Sequence, residues 1–248
     1  MNRFIASLLI AAIIPLFGAC GMTGGTTARK VRLNPAITGS SLNKSVAVGM
    51  VSACPGAGVN HAIGTYNIGK FGESDVSTLR HTLELSLPNP DRTDFSVHVI
   101  VQHFALAFTN NRGANLAIVD WCVADDKGVR GSERFYAAYD TGDKLLGIET
   151  MGMAKSRVIH AIAKRIDERA LAIANSLPLP PAPSLTFDDP ASANHTLPTH
   201  MEAASNGLAL AALQQTMLGG LSGVAEMMPS APIPPTDWTA LLVAGKAP

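Results

Sequence analysis

Apolar residues fall into two rhythms between residues 45 and 177. "SVAVGMVSA" (45–53), "DFSVHVIVQHFALAFT" (94–109), "ANLAIVDWCVAD" (114–125) and "SERFYAAYD" (132–140) are β-branched or alternating runs that predict strands. Over 76–87, Val76, Leu79, Leu83 and Leu87 recur at helical spacing, with Ser74 or Asp75 as the cap and Pro88 as the stop. A second helix is predicted over 153–176, where Val158, Ile162, Ile166 and Ile173 form one stripe and Lys155, Lys164, Arg165 and Arg169 lie largely elsewhere. The stripe fits a sheet face. The alternative, a basic helix resting on anionic lipid, is interrupted by Asp167 and Glu168.

The second strand run, 94–109, carries a phase problem. Val97, Val99 and Val101 have one parity, and Phe104, Leu106 and Phe108 have the other. Either a bulge near Gln102–His103 resets the register, or the strand buries different faces along its length. "NNRG" and "DKG" then supply the turns that link three strands into an antiparallel meander. The order strand, helix, three strands, helix predicts an α+β fold: a small antiparallel sheet of three to four strands with two helices on one face.

The flanks differ in character. Residues 20–44 are polar and glycine-rich, which predicts a flexible tether before the 45–177 domain. Residues 178–248 hold 11 of the chain's 16 prolines, which predicts a mostly disordered Pro/Ala-rich tail. Within it, 201–218 can form a short helix with an apolar surface.

At the other end, "MNRF" and the uncharged run "IASLLIAAIIPLF" have the layout of a secretory signal over 1–19. That run is shorter than the roughly 20 residues needed to span a bilayer. Phe17-Gly18-Ala19-Cys20 follows, and this stretch resembles the lipobox of bacterial lipoproteins, with Phe17 where leucine is usual. The resemblance implies cleavage before Cys20 and acylation of its thiol and amine, hence a membrane anchor. Gly21, in place of the aspartate of inner-membrane retention, implies the outer membrane, with the domain facing the periplasm. The alternative is an ordinary signal peptide with a chance cysteine beside its cleavage site.

Lipidation of Cys20 leaves Cys54 and Cys122, which an oxidising periplasm can bridge; two buried free thiols are the competing expectation. Composition narrows the chemistry. Lys+Arg and Asp+Glu both number 19, so no charge surplus points to nucleic acid. "GAGVNHAIG" lacks the Lys-Ser/Thr of a phosphate loop, no Cys/His spacing matches a metal set, and no nucleophile elbow is present. No cofactor or catalytic residue is expected. Asp120 is expected on a strand edge or exposed face.

In element order over 45–177 the chain also resembles small accessory lipoproteins of envelope transport and assembly systems. That resemblance implies a non-enzymatic, lipid-anchored protein that docks to a membrane complex, with Phe104, Leu106 and Phe108 as the partner patch if they lie opposite the helices. A carrier enclosing an apolar ligand is the second expectation. An envelope hydrolase is the third.

Overall fold

The computed structural model describes residues 26–40, 42–54, 62–63, 66–67, 71–87, 93–109, 112–140, 151–180, 185–187 and 233–244. The signal region, Cys20 and the 201–218 segment lie outside the described residues.

The fold is α+β. Its elements are α1 (Pro35–Thr38), β1 (Val46–Ala53), β2 (Ala62–Ile63), β3 (Tyr66–Asn67), α2 (Glu73–Ser86), β4 (Phe95–Thr109), β5 (Arg112–Asp125), β6 (Gly128–Asp140), α3 (Met151–Ala174), β7 (Leu185–Phe187) and α4 (Trp238–Ala244). The main sheet has the order β1-β4-β5-β6-β7, and β2 and β3 form a separate two-stranded ribbon. β4, β5 and β6 are the expected antiparallel meander, closed at one turn by the Thr109–Arg112 pair and at the other by Asp125–Gly128. Gly128 has φ 122°, a backbone state that L side chains rarely adopt.

The sheet is more mixed than the meander alone predicts. β1 pairs parallel with β4, because α2 carries the chain back before β4 begins, and the three-residue β7 pairs parallel with β6. The phase problem in β4 resolves as a bulge. Val101 lies opposite Val119 and His103 opposite Ile118, so Gln102 is the extra residue. Val97, Val99, Val101 and Phe104 therefore all enter the core beneath the helices.

α2 and α3 cover that face. α2 begins at Glu73, earlier than expected, because Asp75 at its third position reaches back to the Gly72 amide at 2.9 Å. Leu79 and Leu83 on α2, with Val158, Ile162 and Ile166 on α3, are fully buried against the sheet. The basic residues of α3 are largely consumed internally: Lys155 pairs with Asp75 at 2.7 Å, and Arg165 and Arg169 both bond Glu133 on β6. Arg165 also stacks 4.4 Å from the Phe135 ring centroid. None of the helices among the described residues is long and apolar enough to cross a membrane.

The flank expected to be a flexible tether is a strap over much of its length. Thr26 bonds Asp75 and Thr78, the Thr27 amide donates to Ser156 Oγ at 2.9 Å, and Arg29 Nε donates to His160 Nδ1 at 3.0 Å. Val31 N bonds Ser86 Oγ at 3.0 Å, Asn34 N bonds Glu168, and the amides of Asn43 and Lys44 both bond Asn175 Oδ1 at 2.8 Å. Val31 and Ile37 are buried in the core. Polar, glycine-rich composition predicted flexibility, but the amides of Thr27, Val31 and Asn34 find acceptors on α2 and α3, those of Asn43 and Lys44 find one on Asn175 just past α3, and two aliphatic side chains anchor the run.

The tail also carries structure. β7 joins the sheet edge, and residues 233–244 lie on the sheet face away from α2 and α3.

Candidate functional site

Alternation along the strands leaves His98, Gln102, Asp120, Cys122, Arg134 and Tyr136 on the outer sheet face, opposite α2 and α3. Asp120 sits on the central strand at 2% exposure. Arg134 Nε donates to its Oδ1 at 2.6 Å and Nη2 to its Oδ2 at 2.7 Å, the two-pronged geometry that guanidinium and carboxylate favour. Gln102 Nε2, the Thr236 amide and the Thr236 hydroxyl donate to Oδ2 at 3.1, 3.1 and 2.6 Å. The Asp120 carboxylate holds the Arg134 guanidinium above its ordinary pKa. The remaining Arg134 donors reach the carbonyls of Ile233 and Pro234.

This cluster is a latch. It exists because the bulge turns Gln102 outward and because Pro234 and Pro235 lack N–H groups, leaving carbonyls to face the arginine. Thr236 then leads into α4, whose first turn is closed by Asp237 Oδ1 accepting from Ala240 N at 3.0 Å. Trp238 is buried at 6% exposure. With every strong acceptor of Asp120 engaged, its carboxylate is a structural counter-charge.

α4 roofs a cleft of about 490 Å³ on the same face. Met50, His98, Ala124 and Val129 line the sheet side, and Leu242 and Val243 the helix side. The walls are mostly apolar, and the volume falls in the range of small-ligand or side-chain pockets. His98 is the chief polar group of the floor. Its Nδ1 accepts from Met50 N at 3.1 Å, which assigns the proton to Nε2, and Nε2 donates to Ser96 Oγ at 2.9 Å. Burial holds its pKa below the ordinary histidine value. A bulge in β1 makes this possible: Gly49 and Met50 together lie opposite His98, and a Cβ on Gly49 would sit 2.5 Å from the ring. At the rim, Leu241 is 36% and Val243 68% exposed.

The two cysteines do not bridge. Cys54 follows β1 and its amide bonds Val101 O, whereas Cys122 lies on β5 opposite His98. β4 runs between them, a separation of roughly 9–10 Å across two strand spacings, beyond the ~7 Å limit of disulfide geometry. Cys54 Sγ instead donates to Gln102 Oε1 at 2.9 Å, and burial followed by the Asp120 charge pushes its thiol pKa up. Burial pushes the Cys122 thiol up to about 12. Both thiols are therefore poor nucleophiles at neutral pH.

Phe104 does not form the expected outer patch. It lies under the helices rather than opposite them, fully buried, with its ring centroid 5.4 Å from that of Phe71 and 5.6 Å from Lys155 Nζ. The side chains of Leu106 and Phe108 lie outside the described residues, as does Cys20. Among the described residues no group of three or more His, Cys, Asp or Glu side chains is placed to hold a metal.

The latch and α4 were missed in the sequence because "PIPPTDW" reads as low-complexity punctuation. One signal was available. In a chain with only two tryptophans, Trp238 followed by "TALLVA" and preceded by an aspartate cap predicts a short docked helix.

No protein-family model matches the chain, and no curated protein does. Among solved structures, the protein XCC0632 from Xanthomonas campestris, of family-model DUF330, is 14% identical; the match covers 61% of this chain and 96% of that one, with a TM-score of 0.45. A putative lipoprotein from Caulobacter crescentus CB15 is 17% identical, over 40% of this chain and 80% of that one, with a TM-score of 0.29. At these values neither likeness carries an argument about function.

Proposed function

We propose that this protein is a non-enzymatic lipoprotein of the bacterial outer membrane, held by the lipid on Cys20, facing the periplasm and docking to a transport, secretion or assembly complex. The observation that carries the docking element is the rim of the α4 cleft, where Leu241 and Val243 stay exposed beside a mostly apolar floor. The groups with the chemistry for proton transfer or nucleophilic attack have structural tasks instead. Both His98 nitrogens are bonded, Asp120 is neutralised by Arg134, and both thiols are held protonated.

Gently solubilised envelopes test this reading, comparing wild type, Cys20→Ala, Val243→Asp and, as a surface control, Leu85→Asp. A partner that is stoichiometric with wild type and the control but lost with Val243→Asp supports docking at α4. Release of Cys20→Ala from the outer-membrane fraction supports the anchor. Equal fractionation of wild type and Cys20→Ala rejects it. A partner retained by Val243→Asp moves the docking surface elsewhere.

The same cleft favours one second reading, a carrier of an apolar ligand, since its volume of about 490 Å³ suits a small aliphatic molecule. Extraction of the purified protein and mass analysis of what it released distinguishes the two.

A further inference from the structure

The course of the strap sets a limit on how the domain sits. Thr26 and Thr27 are pinned at the N-terminal ends of α2 and α3, by Asp75, Thr78 and Ser156. Asn43 and Lys44 are pinned at the other end of α3, by Asn175. Between them the chain follows the two helices, with Val31 and Ile37 sunk into the core. Ser156 on α3 and Asn175, the residue just past its end, are 19 positions apart, about 29 Å along a helix axis. From Cys20 to Thr26 there are six peptide links, which span at most about 21 Å when fully extended.

The second length is shorter than the first. With Cys20 at the bilayer surface, the domain cannot stand on the Asn175 end, because Thr26 would then be about 29 Å up and beyond the reach of the connection. We infer that the end formed by the N-termini of α2 and α3 faces a lipid surface, and that the α4 cleft opens away from it. The cleft belongs to the far end: Ser96, Asp125 and Gly128 line it, beside the β5–β6 turn. This inference rests on the lipid anchor at Cys20 and adds an orientation to it. It also gives the domain one outward-facing apolar site, accessible to a partner rather than pressed against the membrane.

The test uses the full-length lipidated protein in vesicles of phosphatidylethanolamine and phosphatidylglycerol carrying a trace of acceptor-labelled lipid. In a Cys54→Ser, Cys122→Ser background, a donor dye is placed at Met153→Cys or at Lys127→Cys. Met153 is 47% exposed near the start of α3, and Lys127 is exposed in the β5–β6 turn. Energy transfer to the bilayer should be at least twofold greater from position 153 than from 127. Inserting twelve Gly/Ser residues after Gly25 should erase that difference while leaving the protein bound. Equal transfer from both positions without the insert means the domain lies on its side, and greater transfer from 127 means it stands the other way; either overturns the orientation alone. Intact-mass analysis and vesicle flotation separate the premise: protein that carries no acyl chains and does not float overturns the anchor and the orientation together.

Discussion

Arg134 holds Asp120 through two parallel hydrogen bonds and, with its remaining donors, holds the backbone carbonyls of Ile233 and Pro234. One side chain thus joins the centre of the sheet to a segment 99 residues further along the chain. Removing Asp120 strips that arginine of its counter-charge and leaves Gln102 and Thr236 without their shared acceptor. We expect Asp120→Ala to cost about 3–5 kcal/mol, the usual loss when one partner of a buried ion pair is deleted. Hydrogen exchange gives the sharper reading: amides of 236–241 should lose protection while the β5–β6 ladder keeps most of its own. Unchanged protection of 236–241 would mean that α4 is held by Trp238 and its neighbours, not by the latch.

What was legible in the sequence follows from how local the signals are. The strands, the two long helices and the two turns announce themselves within ten or so residues, through periodicity and parity, whereas the bulge near Gln102 is only one of two ways to reconcile the parity of Val97, Val99 and Val101 with that of Phe104. The parallel pairing of β1 with β4, the strap and the latch depend on partners far away in sequence. Asn175 binds residues 131 and 132 positions earlier, and Asp120 binds Thr236 across 116. Composition described 20–44 and 178–248 as solvent-loving, which is true of Thr26 or Pro234 taken alone. It carried no record of the acceptors waiting on α2, α3 and the outer sheet face. The same blindness affected Phe104: its parity was read correctly, but only the bulge decides which side that parity faces.

The cysteines give a prediction that discriminates cleanly. Because β4 separates Cys54 from Cys122, the folded protein should show the same melting temperature with and without reductant. Cys54 is partly exposed and Cys122 fully buried, so a thiol reagent at pH 8 should modify Cys54 first, and slowly, given its raised pKa. Cys122 should react only as fast as the protein unfolds. A reductant-dependent drop in melting temperature would restore the bridge.

Asp167 is buried on α3 beside Ser86, with neither carboxyl oxygen in hydrogen-bond geometry. The Ser86 hydroxyl gives its one proton to the Thr82 carbonyl and receives the Val31 amide, so it offers the carboxyl no donor. Burial pushes the Asp167 pKa well above the ordinary aspartate value, and the neighbouring Glu168 charge adds to the rise. The folded chain therefore binds this proton more tightly than the unfolded chain. Its contribution is fully present below the unfolded value of about 3.9 and is lost as pH rises through the folded one. Asp167→Asn should abolish that slope: near wild type at pH 4, relatively more stable at pH 8. Parallel stability curves for the two proteins across this range would reject the neutral buried acid.

Gly49 and His98 act as a pair. A methyl group on Gly49 would lie 2.5 Å from His98 Cε1 and 2.8 Å from Nδ1, and the ring has little freedom to move, being bonded to Met50 N and to Ser96 Oγ. Gly49→Ala should cost about 1–3 kcal/mol, the usual range for overpacking. In a His98→Ala background the same change should cost far less, because the obstructing atoms are gone. Urea denaturation of the four proteins in this cycle yields the coupling directly. Acidification adds an independent handle. His98 is held below its ordinary pKa, so the unfolded chain takes up this proton first, and stability falls as pH drops through about 6.5 towards the folded value. His98→Ala should flatten that part of the curve. Additive costs in the cycle, together with an unchanged acid limb, would show that the β1 bulge is shaped by something other than the histidine beneath it.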